Sequence, residues 1–318
     1  MNNVRLPHVC KWLTMSRDQA MDKFNGLKGA FTDGIGDERF VYIEGTRDDK
    51  VLLVAHADTV WGGLSIKPDY HDGVVFSAKR NSSWKKKMRH GGVSHCTGIG
   101  IGADDRAGCS IVWRLRELGH SILITSGEEK GCIATRRLMN SDYWEKEINK
   151  HQFAVQFDRK GRNDIVFYDV GTREFAKYVH KSTGFIPQQG FSTDIKFLCK
   201  DICGVNMSVG YYDEHTSDER LVIAEYENTF AVAKEWLQQK NIPKFPFSFR
   251  DRYYAGWDDG IVKKKEKSRY IPDVVKPANG LLSGRFVACK NNACGFAFST
   301  IQWFENHFNC PRCNTRMY

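Results

Sequence analysis

The apolar positions of the first 240 residues fall into short unbroken runs, separated by stretches of helical spacing. Phe40 to Glu44 (FVYIE), Val51 to Ala55 (VLLVA), Ile122 to Thr125 (ILIT), Phe153 to Phe157 (FAVQF) and Val205 to Val209 (VNMSV) are such runs. Apolar segments this short predict strands of a buried sheet. Between them, Arg106 to Leu118 (RAGCSIVWRLREL) and Thr172 to Lys181 have helical periodicity, and Glu219 to Gln239 reads as a long amphipathic helix. Strands alternating with helices predict an α/β fold, a doubly wound mixed sheet with helices on both faces. In such folds the chemistry gathers at the carboxyl ends of the strands.

From Asn241 the texture changes. Four of the eight prolines lie within residues 241–280, together with a basic cluster (VKKKEKSR) and little periodicity. This predicts a basic linker over 241–283 that partly straps along the first domain (1–240) through its aromatics, followed by a small module over 284–318. Charge follows the same division. Residues 241–318 hold 13 Lys and Arg against 6 Asp and Glu, which is seven of the net +9.

A chain of 318 residues suits roughly two domains, and its 41% hydrophobic content is enough for a sizeable core. No run of ~18 apolar residues could span a bilayer. The first twenty residues lack an apolar stretch of signal-peptide length, so a cytoplasmic location with reduced thiols is expected. Cys10, Cys96, Cys109, Cys132, Cys199 and Cys203 read as ordinary buried or semi-buried thiols.

The polar residues that follow the predicted strands form a pattern. HADTV supplies His56 and Asp58; the turn TGIGIGADDRAG supplies Asp104 and Asp105 just before a helix. SGEEKG supplies Glu128 and Glu129, the next strand ends at Asp158, and GYYDEHTSDE carries His215 toward the last helix. In a doubly wound sheet these turns share one rim. Two histidines and several carboxylates gathered at these turns make a donor set for divalent metals. The glycine-rich turn lacks the spacing of a dinucleotide fingerprint and ends in two acids.

As an ordered set, HAD, GADDRAG, SGEEKG, a later Asp and a final His resemble the co-catalytic zinc exopeptidases, the family of peptidase T, carboxypeptidase G and bacterial leucine aminopeptidases. The resemblance covers about residues 40–235. It implies that His56 and Asp158 bind one zinc, Glu129 and His215 the other, and that Asp104 bridges them. It further implies that Asp58 accepts the proton of the His56 ring and that Glu128 is the general base, with cobalt or manganese as alternatives to zinc. Arg106 stands where the family more often has Lys. Only 57 residues separate Asp158 from His215, too few for the lid or dimerisation domain that two-domain members insert there.

The expected activity is hydrolysis of a peptide or amide bond, foremost as an aminopeptidase on short peptides. A carboxypeptidase or a deacylase of N-acyl amino acids would use the same centre. Asp194, in GFSTDIKF, is a candidate to meet a substrate amino group. The basic stretch AKRNSSWKKKMRH, with Lys85 to Lys87 and Arg89, reads either as a solvated hairpin tip or as an attractor of acidic substrate groups. A reading from another class is a binding protein on a retained peptidase scaffold, although such a protein would have no need of Glu128.

The last segment carries Cys289 and Cys294, four residues apart, and the pair Cys310 and Cys313 in CPRC. Four thiolates in two pairs predict a closed tetrahedral site for one structural zinc, resembling a zinc ribbon. The metal would fold a module of ~35 residues that is too small for its own core. With the basic linker before it, the ribbon is a candidate surface for nucleic acid or a protein partner; no membrane partner is expected.

Overall fold

The computed structural model describes residues 7–62, 66–77 and 99–253, together with the backbone of two short strands at 286–288 and 297–299. The strands are β1 (Ala30–Asp33), β2 (Phe40–Ile43), β3 (Leu52–His56), β4 (Pro68–His71), β5 (Val74–Ser77), β6 (Ser121–Thr125), β7 (Ala154–Arg159), β8 (Asp164–Val166), β9 (Ile186–Gln188), β10 (Gly204–Ser208), β11 (Tyr211–Tyr212), β12 (Arg220–Val222), β13 (Phe286–Ala288) and β14 (Ala297–Ser299). An eight-stranded sheet runs β1-β2-β6-β3-β7-β10-β8-β9. Its centre, β6-β3-β7-β10, is parallel, whereas β2 joins β6 and β8 joins β10 antiparallel. The sheet is therefore mixed, as expected.

The reason for helices on both faces is visible in β3. Its side chains alternate, Leu53 and Ala55 entering one apolar cluster and Leu52 and Val54 the other. The first cluster is closed by the helices Arg17–Asn25, Ala103–Leu115, Arg173–Thr183 and Ile223–Leu237 through Phe24, Val112, Phe175 and Trp236. The second is closed by Ile133–Met139, Asp142–Asn149 and Ile195–Leu198 through Leu138, Ile148 and Leu198. Every residue of β3 is buried, which is why the run shows no polar alternation.

Two local expectations change. The stretch read as one helix from Glu219 begins instead as β12, and the helix covers Ile223–Leu237. Leu221, in register with Val75 of β5, is fully buried, so this run completes a second sheet, β11-β12-β5-β4. Three residues of strand are too few to be told from a helix start by periodicity. His215 therefore sits in the loop between β11 and β12, not at a helix entrance.

The beginning of the predicted linker lies on the domain. Phe245 N–H donates to Gln152 O at 2.9 Å, Cys203 N–H donates to Phe245 O at 2.9 Å, and Tyr253 N–H donates to Gly171 O at 2.7 Å. The Phe245 ring packs 4.8 Å from Tyr178 and 5.1 Å from Phe175. Cys10, Cys109, Cys132, Cys199 and Cys203 are all buried and unbridged. β13 and β14 pair antiparallel. Cys289, Cys294, Cys310 and Cys313, the cluster VKKKEKSR, and Lys85 to Lys87 with Arg89 lie outside the described residues.

Candidate metal centre

Three strand ends, one helix start and the β11–β12 loop meet at the carboxyl edge of the parallel strands. His56 closes β3. Asp104 and Asp105 open the Ala103–Leu115 helix with non-helical backbone, joined by a cis peptide. The buried Asp105 carboxylate faces inward, where its oxygens accept the N–H of His56 at 3.2 Å and of Gly108 at 3.0 Å. Gly108 must be glycine, since a Cβ there would lie 1.9 Å from the Phe157 carbonyl oxygen. Arg106, buried one residue on, donates to the carbonyls of Ala57 and Met15. It thereby ties the helix start to the turn after β3 and to the N-terminal segment.

After β6 the chain turns at Gly127 (φ +67°), a left-handed position where a Cβ would meet the Asp37 carbonyl oxygen at 2.6 Å. Glu128 and Glu129 follow in one 3-10 turn. Asp58 holds that turn: its carboxylate accepts the N–H of both glutamates, each at 3.2 Å. Asp158, near the end of β7, accepts from Thr193 Oγ1 at 2.7 Å, Gln156 Nε2 at 3.1 Å and Tyr211 OH at 3.2 Å. His215 reaches the same point from the β11–β12 loop with φ +61°.

The convergence is close. His56 Nε2 lies 3.2 Å from Asp104 Oδ1 and 3.4 Å from Asp158 Oδ1. His215 Nε2 lies 3.1 Å from Asp104 Oδ2 and 2.9 Å from Glu129 Oε2. Two donor groups result, His56–Asp104–Asp158 and Asp104–Glu129–His215, and within each the ligand atoms lie within 4.8 Å of one another. Asp104 belongs to both. Glu128 belongs to neither; its Oε2 is 3.9 Å from His56 Nε2. All but His56 line a cleft of about 270 Å³ whose walls include Arg159, Lys160, Tyr168 and Phe191.

Four carboxylates this close are costly unless cations or protons balance them. In this arrangement of side chains alone, the balance falls to protons. Burial, joined by the charges of Asp158, Asp194 and Asp104 and opposed by that of His56, pushes Glu128 up to about 9. Burial likewise moves Asp158 up to about 6, against the pull of His56. Hydrogen bonds to Asp104 and Glu129 raise His215 to about 11. Burial alone would lower His56, but Asp158 and the other carboxylates carry it well above its ordinary value. Among the described residues no Lys or Arg pairs with Asp104, Glu128, Glu129 or Asp158. His56 Nε2 and Glu129 Oε1 are buried without a hydrogen bond of sound geometry. The donor set and these orphaned atoms fit divalent cations, which would displace the protons.

Two expected roles meet a different geometry. The His56 Nδ1 is nearer the Asp58 backbone oxygen, at 3.2 Å, than the Asp58 carboxylate, at 3.5 Å. The backbone oxygen is the better-placed acceptor, because the Asp58 carboxylate is engaged by the glutamate turn. Asp194 is a correction: it is fully buried and accepts from Thr125 and Thr135 hydroxyls, both at 2.6 Å. Both carboxylate oxygens are spent inside the domain, and the side chain has no surface with which to meet a substrate.

Several partners were not singled out in the sequence. Glu219 is fully buried and accepts from Gly102 N–H (2.8 Å), Asp104 N–H (3.1 Å) and Trp61 Nε1 (3.2 Å), so it fixes the backbone of Asp104. Its signal was its place four residues after His215. Thr193 and Tyr211 carried no such signal.

No family model matches the sequence, and no curated protein matches it. Solved structures do. Aminopeptidase PepT from Bacillus cereus superposes with a TM-score of 0.50 at 16% identity, covering 72% of this chain and 96% of that one. A tripeptidase from Staphylococcus aureus gives 0.49 at 13% identity, over 72% and 96% of the two chains. Aminopeptidase APDkam598 from Desulfurococcus kamchatkensis gives 0.45 at 14%, over 73% and 93%. At these identities the likeness to PepT shows a shared fold.

Proposed function

We propose that the chain is a metal-dependent peptidase, an aminopeptidase acting on short peptides at a dinuclear centre. The observation that carries this reading is Asp104, whose two oxygens face separate imidazoles, Oδ1 toward His56 and Oδ2 toward His215. His56 and Asp158 would hold one ion, Glu129 and His215 the other, with Asp104 between them. Zinc suits this set of imidazole and carboxylate donors, and cobalt or manganese would also be accepted. When bound, the ions supply Lewis-acid polarisation of the scissile carbonyl and a water of lowered pKa.

The chain's own residues do the rest. Glu128, in the cleft but outside both donor groups, accepts a proton from the attacking water as the C–O bond forms. It returns that proton to the amine nitrogen as the C–N bond breaks. Asp105 and Glu219 hold the backbones of His56 and Asp104, and Asp58 holds the turn that presents both glutamates. The similarity of fold to PepT supports this reading.

The test is a mass-spectrometric digest of a short-peptide pool by zinc-loaded protein, with Glu128→Gln in parallel. Stepwise loss of N-terminal residues by the parent alone is the expected result. Equal turnover by both proteins would sink the assignment of the base. Loss of C-terminal residues would turn the reading to a carboxypeptidase.

A further inference from the structure

A glutamate that moves protons has to be aimed. It must keep one carboxylate oxygen toward the attacking water, although the side chain is long and has many rotamers to lose. The two oxygens of Glu128 have different neighbours. Oε2 lies 3.9 Å from His56 Nε2, on the side of the donor groups. Oε1 accepts from the thiol of Cys132, with Sγ at 3.7 Å, a hydrogen-bond distance for an atom as large as sulfur. Among the described residues, no other group donates a hydrogen bond to this carboxylate.

The backbone places that thiol at some cost. Cys132 is left-handed (φ +58°, ψ 48°), a conformation that glycine adopts freely and other residues seldom adopt. Its N–H donates to the Glu128 carbonyl oxygen at 3.0 Å, and its own carbonyl oxygen accepts from Arg136 N–H at 2.9 Å. The side chain is shut away from solvent, 2% exposed, and it does not line the cleft. Burial, then the charges of Asp194 and Glu128, push the thiol far above its ordinary pKa, so it keeps its proton and acts as a donor. Asp194 already takes a threonine hydroxyl on each oxygen, from Thr125 at the end of β6 and Thr135 in the helix Ile133–Met139. Those bonds fasten both ends of the turn that carries Glu128, and the thiol holds the carboxylate itself.

We propose that Cys132 is the positioning residue for the base: its thiol holds Glu128 Oε1 and leaves Oε2 turned toward His56, free to take the proton. The proposal rests on the reading of Glu128 as general base. It adds a residue to which the sequence pointed only as a buried thiol. Cys132 acts through Glu128 and touches no substrate.

The test is steady-state cleavage of the tripeptide Ala-Ala-Phe by zinc-loaded protein. Cys132→Ala should lower kcat on the order of 10-fold and leave KM and bound metal within about two-fold, because aim is lost and binding is not. Cys132→Ser, which keeps a donor, should recover part of that loss. Cys132→Gly removes the thiol at a position that suits glycine, and covers the case in which the alanine variant does not fold. On a Glu128→Gln background, Cys132→Ala should not lower the residual turnover further, since the two residues act as a unit. The contact also has a spectroscopic signature. The S–H stretching band, isolated as the infrared difference with and without Cys132, should rise in frequency when Glu128→Gln removes the charged acceptor. An unchanged kcat in the alanine and glycine variants, a serine variant no better than alanine, an equal further loss on the Gln background or a band that stays in place overturns the proposal. If the parent cleaves, Glu128→Gln does not, and Cys132→Ala is as fast as the parent, only this inference falls. If Glu128→Gln turns over like the parent, the base is misassigned and both readings fall together.

Discussion

The acids in and around this centre form two layers, a lower one saturated by hydrogen-bond donors and an upper one lining the cleft, and they are built differently. In the lower layer, Asp105, Asp194 and Glu219 are each fully buried, and each carboxylate is matched by two or three donors from backbone or hydroxyl groups. In the upper layer, Asp104 and Glu129 face imidazole nitrogens, and Glu128 faces its fellow acids and a ring nitrogen 3.9 Å away. A saturated buried carboxylate is scaffold, because its desolvation is already offset. A buried carboxylate aimed at other acids and rings is a donor held ready for a cation. The lower acids are fully buried and Glu128 and Glu129 half-buried at the cleft, but it is the partners that set the roles of the two layers.

Replacing one acid from each layer is the strongest way to break that contrast. Glu128→Gln should cost ~10²–10⁴-fold in turnover, the usual contribution of a positioned general base, while metal content measured by mass spectrometry stays unchanged. Next in size, His215→Ala should lower bound metal by about one ion per chain, since a site with three protein donors loses one of them. Unchanged metal content would show that the upper layer is misread. In the lower layer, Glu219→Gln should leave both donor groups intact yet weaken metal affinity by ~10–100-fold, the range for partners that orient ligands. If affinity does not move, Glu219 is scaffold for the fold alone.

The contrast extends to histidines and sets a pH dependence. Carboxylates raise His56, whereas burial lowers His120 and His151 to about 4. His120 accepts Val51 N–H on Nδ1 and meets the Leu237 carbonyl oxygen through Nε2, so it folds neutral. The unfolded chain takes up these two protons near the ordinary value of 6.5, and the folded chain only near 4. Stability is therefore complete above about pH 6.5 and is lost as pH falls toward 4, by at most ~1.4 kcal/mol per pH unit for each ring. Urea unfolding at stepped pH should show this slope, and His120→Gln should flatten it. The smallest expected effect is at the cleft wall: Phe191→Ser should raise KM for peptides with an apolar end by a few-fold, in line with ~1 kcal/mol of lost apolar contact. An unchanged KM would remove Phe191 from the substrate's path.

Much of this was legible in the chain itself. Runs such as VLLVA, bounded by turn residues, read as strands buried on two faces, because an alternating strand would have to place half its residues in water. The acids and histidines at the ends of such runs follow, since a doubly wound sheet brings those ends to one edge. What sequence could not supply was the direction and saturation of each carboxylate. Asp104 and Asp105 are neighbours of one residue type, yet one faces the cleft and the other is turned into the backbone of His56 and Gly108. Asp194 follows a turn near the rim as the cleft residues do, but two threonines distant in sequence close it off. Cys132 reads as one more buried thiol until its sulfur is found 3.7 Å from Glu128 Oε1. Hydrogen-bond saturation is a sum over partners from remote segments, and only the tertiary structure brings those partners together.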